Sequence, residues 1–311
     1  MKSIKHRFQS AATENSEMDG PSSSKEIQVH PKTHRATEAW SDICCAEPQR
    51  IRKQLPIPKI DPKSPKPCDF VRFVCISDTH SKLAAIESRL PKGDVLIHAG
   101  DFTRCGRLQE VLEFNEIMGR LPFKHKVVIA GNHELSFDRS NKKRSFVSIM
   151  NDCRSELKDM NLNDPRQLLT SCTYLEDSSI QLYGYKLYGS PYQPEYCGWA
   201  FNVERGQKLL DIWNKIPEDT DILITHGPPV GYCDRAISGV NAGCVELLAT
   251  VERRVQPMYH VFGHIHEAYG MCTNGNTVFI NAAMCDVSYR AVHEPIVFDL
   301  PIKNSRTNGD L

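Results

Sequence analysis

No stretch of this 311-residue chain approaches the roughly 18 consecutive apolar residues that a membrane-crossing helix needs. The opening residues, Met1-Lys2-Ser3-Ile4-Lys5-His6-Arg7, lack the apolar segment of a secretory signal, so a cytoplasmic protein without membrane association is expected. An excess of charge is missing as well, because Lys plus Arg total 38 and Asp plus Glu total 38. That balance predicts neither a nucleic-acid groove nor attraction to a charged membrane surface. Cysteine is plentiful, at twelve, but no C-x-x-C pair occurs and several, such as Cys75, fall in apparent strands. Reduced, structural thiols are therefore expected rather than disulfides, and nothing around Cys105 marks it as an activated nucleophile.

What is present divides the chain unevenly. Residues 1–66 hold a polar Ser22–Glu26 stretch and the Pro-rich run from Leu55 to Pro67. Such composition buries too little apolar surface to offset chain entropy. Residues 1–66 are accordingly read as a mostly disordered tail and linker, whose removal leaves folding and activity unchanged. Its one apolar island, Ala39-Trp40 with Ile43-Cys44-Cys45, is the part that would dock if any does. Residues 68–300 are long enough for one layered α/β domain, and 301–311 form a short C-terminal tail.

Within 68–300, five apolar runs each end in a small cluster of polar residues. Val71–Ile76 leads into Ser77-Asp78-Thr79-His80, and Asp94–Ala99 into Gly100-Asp101. Lys126–Ala130 leads into Gly131-Asn132-His133-Glu134, Asp221–Thr225 into His226-Gly227-Pro228-Pro229, and Tyr259–Phe262 into Gly263-His264-Ile265-His266. Short apolar runs bounded by Gly or Pro read as buried strands, and open α/β sheets build their sites past strand C-termini. A lone D-x-H or Gly-Asp is usually turn chemistry. Five such clusters, each carrying Asp, Asn or His, predict a metal centre.

Asp78, His80, Asp101, Asn132, His226, His264 and His266 supply seven oxygen or imidazole ligands and no thiolate. Such a set suits Mn²⁺, Fe or Zn²⁺ in a catalytic site, not a structural thiolate zinc site. Seven ligands exceed one tetrahedral ion and match two divalent ions sharing a bridging carboxylate. Two ions roughly 3.5–4 Å apart clamp the attacking and leaving oxygens of a phosphoryl displacement, and a water between them ionises near neutral pH. Hydrolysis of a phosphate ester is the expected chemistry. His98 and His260, inside apolar strands, are read as sheet histidines.

In the order D-x-H, G-D, G-N-H-E, H-G and G-H-x-H, the chain resembles the calcineurin-like metallophosphoesterases. More narrowly, it resembles the small metallophosphoesterase-domain-containing proteins related to class III cyclic-nucleotide phosphodiesterases. The resemblance implies that Asp78, His80 and His266 hold a first metal. Asn132, His226 and His264 would hold a second, Asp101 would bridge, and Mn²⁺ is the first ion to expect. It also implies that His133 faces the scissile phosphate and protonates the leaving oxygen. Some relatives carry Gly at the position of His264; this chain keeps the His, which favours a competent enzyme. The departures from the G-D-x-H-G and G-D-x-V-D-R-G motifs of phosphoprotein phosphatases favour a small phosphodiester or nucleotide substrate, with cyclic nucleotides the first to try. The alternative is a nucleotide-binding adaptor with vestigial catalysis. Oligomeric state is not legible.

The implied fold is α/β: a two-sheet β-sandwich flanked by helices, in α-β-β-α layers. Apolar spacing predicts helices over Leu108–Leu121, from a cap at Asn202 through Leu209–Ile216, and over Cys244–Val251 with Arg253 and Arg254 at its negative end. Ile180–Tyr183 and Lys186–Tyr188 flank Gly184 as a hairpin. Thr277–Ile280 and Pro295–Asp299 read as strands of one second sheet. Tyr192, Tyr196 and Trp199 are open to two readings, stacking a base or packing a long insert.

Overall fold

The computed structural model describes residues 26–58, 66, 68–140 and 146–303. Ser22–Lys25, most of the Pro-rich run and residues 304–311 of the expected C-terminal tail lie outside the described residues. In chain order the elements are α1 (Ala36–Ala46), β1 (Lys53–Leu55), β2 (Phe70–Ile76), α2 (Leu83–Ile86), β3 (Val95–Ala99), α3 (Leu108–Arg120) and β4 (His125–Ile129). Then come α4 (Val147–Asp159), β5 (Thr173–Tyr174), β6 (Ser178–Leu182), β7 (Tyr185–Ser190), β8 (Gln193–Pro194) and β9 (Asn202–Val203). The chain ends with α5 (Gln207–Trp213), β10 (Ile222–Thr225), α6 (Val245–Thr250), β11 (Tyr259–Phe262), β12 (Gly270–Thr273), β13 (Val278–Asn281) and β14 (Ile296–Pro301).

Two large sheets form, one ordered β14-β2-β3-β4-β5 and the other β1-β12-β13-β11-β10-β7-β6, beside the short pair β8-β9. Along β2 every second side chain goes to a different core, which is why the strand reads as one apolar run. Val71, Phe73 and Cys75 face the opposite sheet, whereas Val74 and Ile76 face α2, α3 and α4. A third apolar layer joins the outer face of the larger sheet to α5 and α6 through Leu209, Trp213, Leu223, Val245, Leu248 and Phe279. The result is the expected α-β-β-α sandwich. Strands β2, β3 and β4 pair in parallel, as do β7, β10, β11 and β13, so their C-terminal ends share a rim. There a parallel bridge between Ser77 and Ala283 stitches one sheet to the other.

The hairpin around Gly184 forms, with both Tyr183 and Gly184 at positive φ, as a two-residue loop requires. Other expectations shift. The Thr277–Ile280 and Pro295–Asp299 strands part company, β13 entering the larger sheet and β14 the smaller. Asn202 caps no helix: Gly206 precedes α5, and the Asn202 amide instead donates to the carbonyls of Tyr196 and Trp199. Arg254 also works away from its own helix end, donating to the carbonyls of Trp213, the last residue of α5, and of Ile216 just beyond it. Among the described residues no helix is long and apolar enough to cross a membrane.

The reading of 1–66 as a disordered tail fails for residues 26–58. Ala36, Ala39, Trp40 and Ile43 recur at helical spacing and pack as one face of α1 into the third apolar layer. The Trp40 ring meets Tyr232 edge-on at 5.8 Å, over a Gly231 whose absent Cβ would sit 2.4 Å from the indole. Arg50 closes on Glu252 at 2.6 Å, and β1 pairs antiparallel with β12 at the sheet edge, Gln54 opposite Cys272. The apolar island was enough to dock the segment because a partner face stood ready on the folded domain.

Candidate metal centre

All eight residues singled out from the sequence arrive at the shared rim. Asp78 and His80 follow β2, Asp101 follows β3, Asn132 and His133 follow β4, His226 follows β10, and His264 and His266 follow β11. Asp78, His80, Asp101 and His264 all sit in the left-handed region, at φ of 51°, 41°, 56° and 68°. Side chains rarely adopt this conformation unless their surroundings over-determine it, and such strain concentrates at functional sites. Here the backbone is held across loops: Asp78 N–H donates to the Gly100 carbonyl at 2.9 Å, and His80 N–H to the Asp101 carbonyl at 3.0 Å. The glycines of the motifs make room for carboxylates. A Cβ on Gly263 would fall 1.9 Å from Asp78 Oδ2, and one on Gly131 would fall 2.3 Å from Asp101 Oδ1.

Ligand atoms converge in three overlapping groups: Asp78 with His80 and His266, Asp101 with His226 and His264, and His80 with Asp101 and His133. Within each group the atoms lie within 4.8 Å of one another. Asp101 Oδ2 lies 3.3 Å from His226 Nε2, 3.8 Å from His133 Nε2 and 4.0 Å from His80 Nε2, and so occupies the middle of the cluster. Asn132 Oδ1 is 3.0 Å from His226 Nε2. His80, His133, His226 and His266 each place Nδ1 against a backbone carbonyl, of Thr103, Arg104, Ala99 and Asp286 respectively. A carbonyl only accepts, so Nδ1 is the protonated nitrogen in each case and every Nε2 turns inward. This is the way a protein orients imidazole for a metal.

Charge balance tells the same story. Burial disfavours an ionised Asp78, but the hydrogen bond and positive charge of His266 outweigh it and hold the carboxyl below its usual range. Asp101 is lowered in the same manner, with the charge of His226 as the main counterweight to burial. The partners move the other way. Burial alone would depress His226 and His266, yet Asp101 drives the first and Asp78 the second up to about 9. His80 falls to about 4 and His264 to about 3, both chiefly through burial. The lowered carboxyls and raised imidazoles pair Asp101 with His226 and Asp78 with His266, so a cation bound there competes with protons.

The supports of the site were less visible in the sequence. Glu134, the last residue of G-N-H-E, accepts N–H bonds from Asp101, Thr103 and Gly131 at 2.9, 2.8 and 2.6 Å, plus the Thr103 hydroxyl at 2.9 Å. It ties the Asp101 loop to the Asn132 loop, while burial and the nearby Asp101 push its carboxyl up to about 8. His98 Nε2 meets Thr79 Oγ1 at 2.9 Å, and His260 Nε2 meets Thr225 Oγ1 at 2.8 Å. Each is a buried sheet histidine, as expected, but each holds a threonine adjacent to a candidate ligand. A polar residue inside an otherwise apolar strand was the available signal. Of the three loop aromatics, Tyr192 packs on Phe201, Tyr196 is exposed and Trp199 lies against His133.

The calcineurin-like phosphoesterase family matches residues 71–268, from β2 to just beyond His266. This chain belongs to that family. The chain is 50% identical to "Metallophosphoesterase domain-containing protein 1" of Homo sapiens over 260 residues, covering 82% of this chain and 78% of that one. Two UPF0046 proteins of Caenorhabditis elegans are also similar. One is 49% identical, covering 76% of this chain and 83% of its own length; the other is 43% identical, covering 90% and 71%. The calcineurin-like phosphoesterase fold and the Asp/His groups fit divalent metal ions: oriented Nε2 atoms, two buried carboxylates and an amide oxygen form a hard donor set without thiolate.

Proposed function

We propose that this protein is a phosphodiesterase that hydrolyses small phosphodiesters, with cyclic nucleotides the first substrates to test, using two divalent ions, Mn²⁺ foremost. Asp78, His80 and His266 would hold one ion, Asn132, His226 and His264 the other, and Asp101 both. Bound there, the ions supply positive charge to the phosphate and lower the pKa of water to generate a nucleophile. This reading is carried by Asp101 Oδ2 lying between His226 of one group, at 3.3 Å, and His80 of the other, at 4.0 Å.

His133 is the residue left over for proton transfer. Its Nδ1 is 2.5 Å from the Arg104 carbonyl and its own N–H donates to Asp101 Oδ1 at 2.8 Å, so the ring cannot swing. Its Nε2 faces the cluster, 3.8 Å from Asp101 Oδ2, and a proton held there can pass to a leaving oxygen. Glu134 fixes the loop from beneath.

The test is steady-state hydrolysis of bis(p-nitrophenyl) phosphate and of cyclic nucleotides by protein loaded with Mn²⁺, Fe²⁺ or Zn²⁺, alongside elemental analysis. Turnover with about two ions per chain is expected. Binding of nucleotide without turnover under every metal would overturn the enzyme reading in favour of an adaptor.

A further inference from the structure

The segment after β13 returns across the site and presents an aromatic side chain to it. Cys285 and Ala291 pair in an antiparallel bridge, closing a loop around Asp286. The Asp286 carboxylate accepts the N–H groups of Ser288 and Arg290, and its carbonyl accepts both Tyr289 N–H at 2.8 Å and His266 Nδ1 at 2.9 Å. One loop therefore orients a metal ligand and fixes Tyr289. The Lys82 ammonium donates to the Tyr289 carbonyl from the other side.

Tyr289 is held at a φ of 57°, a left-handed conformation that is uncommon for a bulky residue. What that conformation achieves is the placement of the ring. Its centroid lies 4.7 Å from His80, 5.6 Å from His266 and 6.0 Å from His133, edge-on to each. The residue stays 44% exposed. A tyrosine serving as packing would bury its ring among apolar neighbours, as Tyr192 does against Phe201. Tyr289 instead leans on three imidazoles of the site and turns the rest of its surface to solvent.

A second ring stands near the same histidine. Trp199 lies 4.3 Å from His133 with planes 33° apart, and Phe146 backs it at 5.1 Å. Its loop is fixed by Asn202 donating to the Trp199 carbonyl at 3.0 Å and by Ala200 N–H donating to the Asn132 carbonyl at 3.1 Å. His133, the residue assigned above to protonate the leaving oxygen, thus has an aromatic side chain in contact on each of two loops.

We propose that Tyr289 and Trp199 wall a slot for the leaving group, selecting phosphodiesters whose leaving alcohol carries a planar aromatic group. The inference rests on the phosphodiesterase reading and specifies which substituent the site recognises. Flat rings gain from stacking or edge contact with such walls, whereas a compact aliphatic alcohol of equal acidity does not. Tyr289 acts here as a specificity-determining residue.

The experiment compares methyl phenyl phosphate with methyl hexafluoroisopropyl phosphate, whose leaving alcohols have similar acidity, in Mn²⁺-loaded protein. The ratio of kcat/KM, aromatic over aliphatic, should fall about tenfold to a hundredfold in Tyr289→Ala. Tyr289→Phe should restore it, since the ring rather than the hydroxyl is used. Calorimetric binding of phenylphosphonate against methylphosphonate provides a readout without turnover, with metal content and melting temperature measured for every variant. The phenyl preference should be present in the wild type and lost in Tyr289→Ala. Equal affinities in the wild type, or an equal loss for both ligands in the variant, would overturn the slot. If the wild type turns over neither ester yet retains a phenyl preference that depends on Tyr289, the slot stands and the diesterase reading fails.

Discussion

His260 Nε2 donates to the hydroxyl of Thr225 at 2.8 Å, and that hydroxyl in turn donates to the Gly227 carbonyl at 2.7 Å. A buried ring on β11 thereby holds the turn that presents His226 from β10. Because the Thr225 hydroxyl spends its proton on Gly227, His260 must be the neutral, Nε2-protonated tautomer. Its Nδ1 is buried and, among the described residues, has no hydrogen-bond partner.

This arrangement has a pH signature. Burial lowers His260 to about 3, well below its unfolded value near 6.5. The unfolded chain therefore takes up a proton that the folded chain refuses, and stability falls as pH drops from about 6.5 towards 3. His98, also lowered by burial to about 3, acts in the same direction. At pH 4.5 each should cost roughly 2–3 kcal/mol relative to pH 7.5. Melting curves of His260→Gln should show a shallower acid slope than the wild type; an unchanged slope would mean that the histidine is not refused its proton.

His133→Ala should lower kcat by about 10²–10⁴ while metal content stays at the wild-type level, the usual size of a lost general acid. The loss should shrink for nitrophenolate leaving groups, which depart without a proton. One of the three ligand groups includes His133 beside His80 and Asp101, so the contrary outcome is concrete. Metal loss in this variant, or rescue by added Mn²⁺, would place His133 among the ligands. His264→Ala is the control, and excess Mn²⁺ should partly restore its rate.

Asp101→Ala should abolish both metal retention and turnover, more severely than loss of any other single ligand. Its Oδ2 faces three imidazoles and its Oδ1 fixes the His133 backbone at 2.8 Å. Elemental analysis of the purified variant would check this. Near-normal metal content would show that the two groups do not share this carboxylate.

Deleting residues 26–58 should lower the melting temperature by roughly 5–10 °C, since it removes α1 from an apolar layer and β1 from a sheet edge. Trp40→Ala alone should cost about 2 kcal/mol, less than a fully buried tryptophan because the residue is only partly buried. Activity should fall as well, because Trp40 and Thr37 brace the loop that follows His226. Calorimetry and kinetics on the truncated protein would decide; unchanged melting would return the segment to the status of a tail.

The sequence alone disclosed which residues gather at the shared rim and, through the family resemblance, the sandwich. Its five motifs each follow a strand buried largely on both faces; in β2 the run Phe73–Ile76 is apolar because it lies between two layers, while Arg72 near the strand start is paired with Asp299. That Gly131 leaves room for Asp101 and Gly263 for Asp78 is a tertiary matter, since each carboxylate comes from a different strand end. Contacts between residues distant in the chain were decided by the tertiary structure. Ala36, Ala39, Trp40 and Ile43 had a helical spacing, but their partners Tyr232 and Val245 lie some two hundred positions away, so composition alone favoured a tail. Glu134, His98 and His260 showed only that a polar residue sat in apolar surroundings; the loops and threonines they hold became neighbours when the strands aligned. Tyr289 had no signal at all, because its place over His80 and His133 depends on a left-handed backbone and a loop closed by Asp286. Residue type and spacing record what each strand end carries, whereas which ends meet, and what covers them, follows from the packing of the two sheets.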